Sequence, residues 1–228
     1  MTRRTLAALA ALAAATAAAA CSDVIAPSRG GSLRYDWRLI VPYDSLGPRE
    51  DTLSFHWPRS RLPVRFWVEN QHNMPARIRA GIAAWEQVFL YGEWTGTLIA
   101  DSTRADVIVV TASPPPQTLP SAGRLYGNPF AVLCDGATDV DTAATRFQLA
   151  LPIRLYVHPI DPSIPGTSDC LDRVAAHEVG HALGIFRHSA DTLDLMYSFP
   201  QVRAPSRRDR ATAENAYHFR AEMVPATR

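Results

Sequence analysis

Residues 177–188 read HEVGHALGIFRH, and these twelve positions decide how the rest of the chain is read. Upstream, Asp169 can cap a helix whose apolar face is built from Leu171, Val174, Ala175, Ala182 and Leu183. His177 and His181 then lie on that helix. Four residues advance about 400° around an α-helix, so the two imidazoles stand one above the other, close enough to chelate one metal ion. Glu178, one position on, projects beside the ion, where a general base for a metal-bound water has to be. Gly184 ends the helix, since glycine takes positive φ without penalty, and His188 follows to return as a third nitrogen ligand. With 7 His in the chain and a similar number of Glu, chance produces such a pattern on the order of one time in 150.

Outward from this helix the chain alternates strand and helix signals. Leu62, Val64, Phe66 and Val68 recur with period two, the mark of a strand with one buried face. Pro75 opens a helix along which Ile78, Ile82, Trp85 and Phe89 form one stripe. Within Ala105 to Thr111, the run Val107, Ile108, Val109 and Val110 reads as a strand covered on both faces. Strand, helix, strand implies layered α/β packing, hence an α+β fold class. Ser113 to Leu149 is rich in Pro, Gly and Asp and reads as loops with short strands. Asp135, Asp139 and Asp141 in it suggest calcium, but the Gly and closing Glu of a calcium loop are missing, so a solvated acidic loop is the simpler reading. Ile153, Leu155 and Val157 give a further strand ending at Pro159. Ser22 to about Thr52 reads as a tether with a peripheral strand, and the catalytic domain is placed at 54–228, after a signal peptide at 1–20 and a tether at 21–53.

The motif resembles that of the metzincin zinc endopeptidases, and among them the matrixins, whose signature is HExxHxxGxxH followed by a methionine in a tight turn. His177, Glu178, His181 and Gly184 match in place. The third histidine of that signature falls at Arg187, and the histidine here is one later, at His188, which reads as a loop lengthened by one residue. Counted from His188, the segment HSADTLDLMY places Met196 at the family's spacing. The likeness extends loosely from Ser54 to Phe219, through His56-Trp57-Pro58, the Trp85 helix, the Ala105-Asp106-Val107 strand and a closing helix near Ser206 to Phe219. No cysteine lies between Ser22 and Ser54 to act as an inhibitory ligand, and the family's structural zinc histidines are absent.

The resemblance implies a twisted mixed sheet with a packing helix, an active-site helix, a methionine turn and a C-terminal helix. It implies one catalytic Zn²⁺ held by His177, His181 and His188, with Glu178 as the base that deprotonates a zinc-bound water, and Met196 as an apolar floor. The expected activity is endopeptidase hydrolysis of a polypeptide that adds as a strand along a sheet edge, with selectivity set by the wall Ser198 to Pro205. Asp191 and Glu214 are other candidates for the third ligand. Tyr197 has no metal role, and His56, His72, His158 and His218 read as structural or surface residues. The rival reading is a non-catalytic zinc-binding envelope lipoprotein of the same fold.

Met1 to Ala20, with Arg3 and Arg4 leading an Ala-rich stretch, is a secretory signal, too weakly apolar to remain in a bilayer. Cys21-Ser22-Asp23 resembles the bacterial lipoprotein signal, although Ala18 stands where that pattern prefers Leu. Lipidation of Cys21 would anchor the protein to a membrane of the cell envelope; ordinary cleavage would secrete it. Cys134 and Cys170 remain, an even number in an oxidising compartment. A disulfide between them would stabilise by about 3 to 4 kcal/mol; the alternative is two buried thiols. A formal charge of +1 on 228 residues gives no basic surface for nucleic acid, and the chain is expected to be a monomer acting on polypeptide.

Overall fold

The computed structural model describes residues 34–42, 50–115, 123–126 and 133–227. Met1 to Ala20, read above as a signal, and Cys21 lie outside them. In chain order the elements begin with β1 (Leu39–Pro42), β2 (Glu50–Leu53), β3 (Val64–Val68) and helix α1 (Met74–Glu86). Then come β4 (Gly96–Leu98), β5 (Val107–Val110), β6 (Gly123–Tyr126), β7 (Cys134–Val140), β8 (Gln148–Leu149) and β9 (Ile153–Pro159). Helix α2 (Thr167–Leu183), helix α3 (Arg207–His218) and β10 (Val224–Pro225) complete the chain.

Six strands form one mixed sheet in the order β4-β3-β5-β9-β7-β6. β4, β3, β5 and β9 run parallel, while β7 is antiparallel to β9 and β6 is antiparallel to β7. Parallel neighbours need crossovers, and α1 supplies one of them between β3 and β4. The period-two reading of 64–68 holds: Val64 and Phe66 are fully buried, and they share their face with Val107, Val109, Leu155 and Val157. The run 107–110 differs from expectation. Ile108 and Val110 are only half-buried, so the helices cover one face of this strand more completely than the other. The fold is α+β, with helices packed on the sheet.

Small residues let the two long helices approach. A Cβ on Gly81 of α1 would sit 3.0 Å from the Cα of Ala176 in α2, and the indole of Trp85 donates to the carbonyl of Ala176 at 2.8 Å. Helix α3 starts with a capping box in which Ser206 and Asp209 serve each other's backbone. The segment before Ser54 is more than a tether from residue 35 on: Leu39, Val41 and Leu53 join the core, and the hydroxyl of Tyr35 donates to Asp209 at 2.7 Å. The stretch 113–149, read as loops with short strands, contains the seven-residue β7 inside the main sheet. Its sequence CDGATDV carries little β propensity, and pairing on both sides overrides that weakness. Among the described residues, no helix is long and apolar enough to cross a membrane.

Candidate metal centre

Helix α2 begins one turn earlier than the capping argument places it. Its N-cap is Gly166, at φ 94°, and Asp169 sits in the first turn instead, where its charge favours the helix dipole. The helix runs to Leu183, and Gly184 reverses the chain at φ 122°. Any side chain there would also collide, because a Cβ would lie 2.7 Å from the carbonyl oxygen of Phe55. After this turn the chain comes back beside the helix and brings His188 to His177 and His181, with ring centroids 4.7 to 5.1 Å apart.

Backbone carbonyls fix the orientation of two rings. Nδ1 of His177 lies 2.7 Å from the carbonyl of Leu195, and Nδ1 of His181 lies 2.6 Å from that of Ile185. A carbonyl only accepts, so each Nδ1 carries the proton and each Nε2 keeps its lone pair. Nε2 of His181 is 3.2 Å from Nε2 of His188, and Nε2 of His177 is buried without a hydrogen-bond partner. One ligand atom from each of the three falls within 4.8 Å of the others. Burial, with neighbouring histidines acting the same way, pushes His177 down to about 3 and His181 well below the usual imidazole range. Burial pushes His188 down to about 4. Three neutral, convergent imidazoles, one with an orphaned buried nitrogen, are a donor set that suits a borderline divalent ion such as zinc. The one-residue lengthening after Gly184 does not keep His188 out of the group.

Glu178 is buried beside the histidines, with Oε2 accepting from the hydroxyl of Thr138 at 2.5 Å. Burial raises its carboxyl to about 8, the Thr138 hydroxyl opposes that rise, and the charge of Asp135 adds to it. The strand makes room for this side chain at Gly136, where a Cβ would fall 2.3 Å from Oε1 of Glu178 and 2.5 Å from Cγ1 of Val174. A second glycine serves Met196. A Cβ on Gly180 would stand 2.4 Å from the Met196 sulfur and 2.7 Å from the Trp85 ring, so the fully buried methionine packs directly on the helix between the two histidines.

The loop carrying Met196 is held by buried carboxylates. Asp209 accepts from the backbone N–H of Leu195 at 2.7 Å and of Ser206 at 2.8 Å. Asp194 accepts from the hydroxyls of Ser189 and Ser206 and pairs with Arg208 at 3.1 Å. Leu195 is the residue whose carbonyl orients His177, so this network reaches that ring through one residue. Sequence reasoning missed Asp209, Asp194, Thr138, Gly136 and Gly180 as parts of the site. The only signal for any of them was the spacing of Ser206 and Asp209 in a helix cap.

Asp191 and Glu214 do not join the histidines. Asp191 accepts from the N–H of Leu193 and pairs with Arg208, while Glu214 is buried in α3 outside the group. Among the described residues the three histidines are the one cluster arranged to hold a metal, and Asp135, Asp139 and Asp141 form none. A disulfide joins Cys134 at the start of β7 to Cys170 in the first turn of α2, the chemistry of an extracytoplasmic protein. A cavity of about 80 Å³ adjoins the site, bordered by Val174, His177, Glu178 and Phe199. A larger one, about 880 Å³, lies between the segment 34–38 and the end of α3 and contains none of the three histidines. The chemistry therefore selects the smaller. The sequence matches no family model and no curated protein, so the functional reading rests on this geometry.

Proposed function

We propose that this chain is an exported, zinc-dependent endopeptidase of metzincin type. The observation that carries the reading is the meeting of three neutral Nε2 atoms with a buried carboxylate one residue along the same helix. His177, His181 and His188 hold the ion in this reading. A zinc ion there supplies Lewis acidity toward a carbonyl, lowers the pKa of a water to about 7 and favours the ionised form of Glu178. Glu178 takes a proton from the attacking water and passes it to the leaving amine. Thr138 keeps that carboxylate aimed, and Met196 closes the floor with apolar atoms.

Two features favour catalysis over a structural clamp. A structural zinc site is closed by four protein ligands, and the described residues offer three. A buried base has no use in such a clamp. Among the described residues β6 pairs with Ala137 to Val140, and Cys134 to Gly136 border the small cavity; this start of β7 is where the reading places an extended polypeptide substrate. In the same reading the signal at Met1 to Ala20 exports the protein, Cys21 is its lipid anchor, and it acts as a monomer.

The test is direct. Mature protein should bind one zinc, cleave an unfolded polypeptide, lose this with a chelator and regain it with zinc. Glu178→Gln should keep the metal and lose hydrolysis by about 10²- to 10⁴-fold. Full activity in that variant would overturn the assignment of the base. Zinc bound with no hydrolysis of any polypeptide would leave a non-catalytic zinc-binding lipoprotein instead.

A further inference from the structure

Beside the three histidines, one cavity has a wall that the proposed chemistry does not use. Cys134 and Cys170 both line it, together with Val174, Glu178 and Phe199. The disulfide ties the first residue of β7 to the first turn of α2, so the strand and the helix cannot separate at that end. The opposite wall, Ser198 to Gln201, is pinned as well. Arg203, just beyond it, pairs with Asp169 and lies 3.5 Å from Asp172, both on α2. Arg173, which borders the cavity, is itself paired with Asp169. Arg203 and Arg173 thus link both walls to α2 through Asp169, and Asp135 is a further charged residue on the cavity's border.

The cavity's volume is about 80 Å³. A cavity of about 150 Å³ holds a benzene ring, so this one stops well short of an aromatic side chain. Its border with Glu178 says which residue of a substrate enters. That carboxyl hands its proton to the leaving amine, so the side chain next to it belongs to the residue that becomes the new N-terminus.

We infer that the Cys134–Cys170 bond is a specificity-determining wall of the substrate pocket, and that it restricts the residue on the carboxyl side of the cleaved bond to small aliphatic side chains. This rests on the peptidase reading above and adds to it the side chain selected and the group that selects it. Sulfur atoms are compact, and a covalent bond between them cannot yield as a packed side chain can. Breaking the bond removes the wall and frees the strand to move off the helix.

The experiment uses the full mature chain in two measurements. A peptide library cleaved by unaltered protein should show Ala or Val after the cleaved bond preferred over Phe or Trp by on the order of 100-fold in kcat/KM. In Cys134→Ala/Cys170→Ala that preference should shrink to about 10-fold or less, with bound zinc unchanged. The second measurement is binding, by calorimetry, of uncleavable peptide analogues carrying Ala or Phe at the same place; the ratio of their Kd values should shrink in the same way. Reduced wild-type protein serves as the second form where the double variant does not fold. Preference of unaltered protein for aromatic residues, or an unchanged preference once the bond is gone, overturns the inference while leaving the peptidase reading intact. Failure of unaltered, zinc-loaded protein to cleave any library member overturns the peptidase reading and this one with it.

Discussion

Helix α2 and strand β7 face each other across the candidate site, and they contribute to it in opposite ways. The helix supplies groups: His177 and His181 at a spacing that a 3.6-residue turn puts on one face, and Glu178 about 100° round from His177. The strand supplies an absence and a single hydroxyl, the missing Cβ of Gly136 and the Oγ1 of Thr138, both spent on Glu178. The difference teaches where chemistry resides and where its tuning resides. Donors come from a rigid helix; their ionisation and fit come from the element opposite.

The largest effect should follow from the helix. His181→Ala removes a donor whose ring is fully buried, and no other described residue stands in the cluster to replace it. Zinc content by elemental analysis should fall to background, and hydrolysis should fall further than the roughly 10⁴-fold upper limit set for loss of the base alone. Retention of a full equivalent of zinc would break the division between the two elements.

Next comes the pH dependence of metal-free protein, in which the three histidines and Glu178 pull in opposite directions. The three histidines have folded pKa values below the unfolded 6.5, about 3 for His177 and about 4 for His188, with His181 also well below. Their contribution is complete above pH 6.5 and is lost as pH falls toward 4, because the unfolded chain takes up protons that the folded one refuses. Glu178 is raised from 4.5 to about 8, so its contribution is complete below 4.5 and is lost as pH rises through 8. Between 4.5 and 6.5 three groups oppose one, so the site's contribution to stability should rise with pH. Above 6.5 the sign reverses. Denaturant titrations of metal-free protein should therefore show greatest stability near pH 6.5, and Glu178→Gln should remove the decline on the alkaline side. A decline that survives in Glu178→Gln would show that burial of this carboxyl is not its cause.

The helix side of the site was readable from the chain because its information is local. Spacings of four and seven residues from His177 to His181 and from His181 to His188, with one glycine to turn the chain, place three rings without knowledge of any other element. The packing helix α1 and the strands β3 and β9 were readable for the same reason, through periods of 3.6 and 2, and β5 through its β-branched run, which marked the strand but not its half-buried second face. Strand β7 was not. Nothing in CDGATDV alternates, and its place in the sheet follows from Ala137 meeting Tyr156 and Thr138 meeting Leu155 on β9, partners some twenty residues away. The roles of Gly136 and Thr138 depend on that register, so they stayed hidden with it. Asp209 was hidden differently: its part in a helix cap is local, but its bonds to Leu195 and Met196 are tertiary.

Gly136→Ala puts the strand's share on a scale. The added Cβ would fall 2.3 Å from Oε1 of Glu178 and 2.5 Å from Val174, so either the strand or the carboxylate has to move. Overpacking of this kind destabilises by about 1 to 3 kcal/mol. Thermal melts should fall accordingly, and kcat should drop while zinc content holds, since the atoms nearest the new methyl belong to Glu178 and Val174. Loss of zinc in Gly136→Ala would mean that strand and helix are not separable in the way argued here.

Thr138→Val is the smallest and sharpest change. Valine keeps the shape and removes the hydroxyl that lies 2.5 Å from Glu178. That bond favours the ionised carboxylate and opposes burial, so its loss raises the pKa and moves the acid limb of the kcat/KM profile to higher pH. A hydrogen bond to a charged group contributes about 1.5 to 3 kcal/mol, which sets an upper limit of about two pH units at 1.4 kcal/mol each; about one unit is expected after local rearrangement. On the alkaline plateau, where the carboxylate is ionised in either protein, Thr138→Val should approach the activity of the parent. Thr138→Ser retains the donor and should leave the limb in place. A limb that shifts equally in both variants would assign Thr138 to packing alone, and would leave the helix to set the ionisation of its own base.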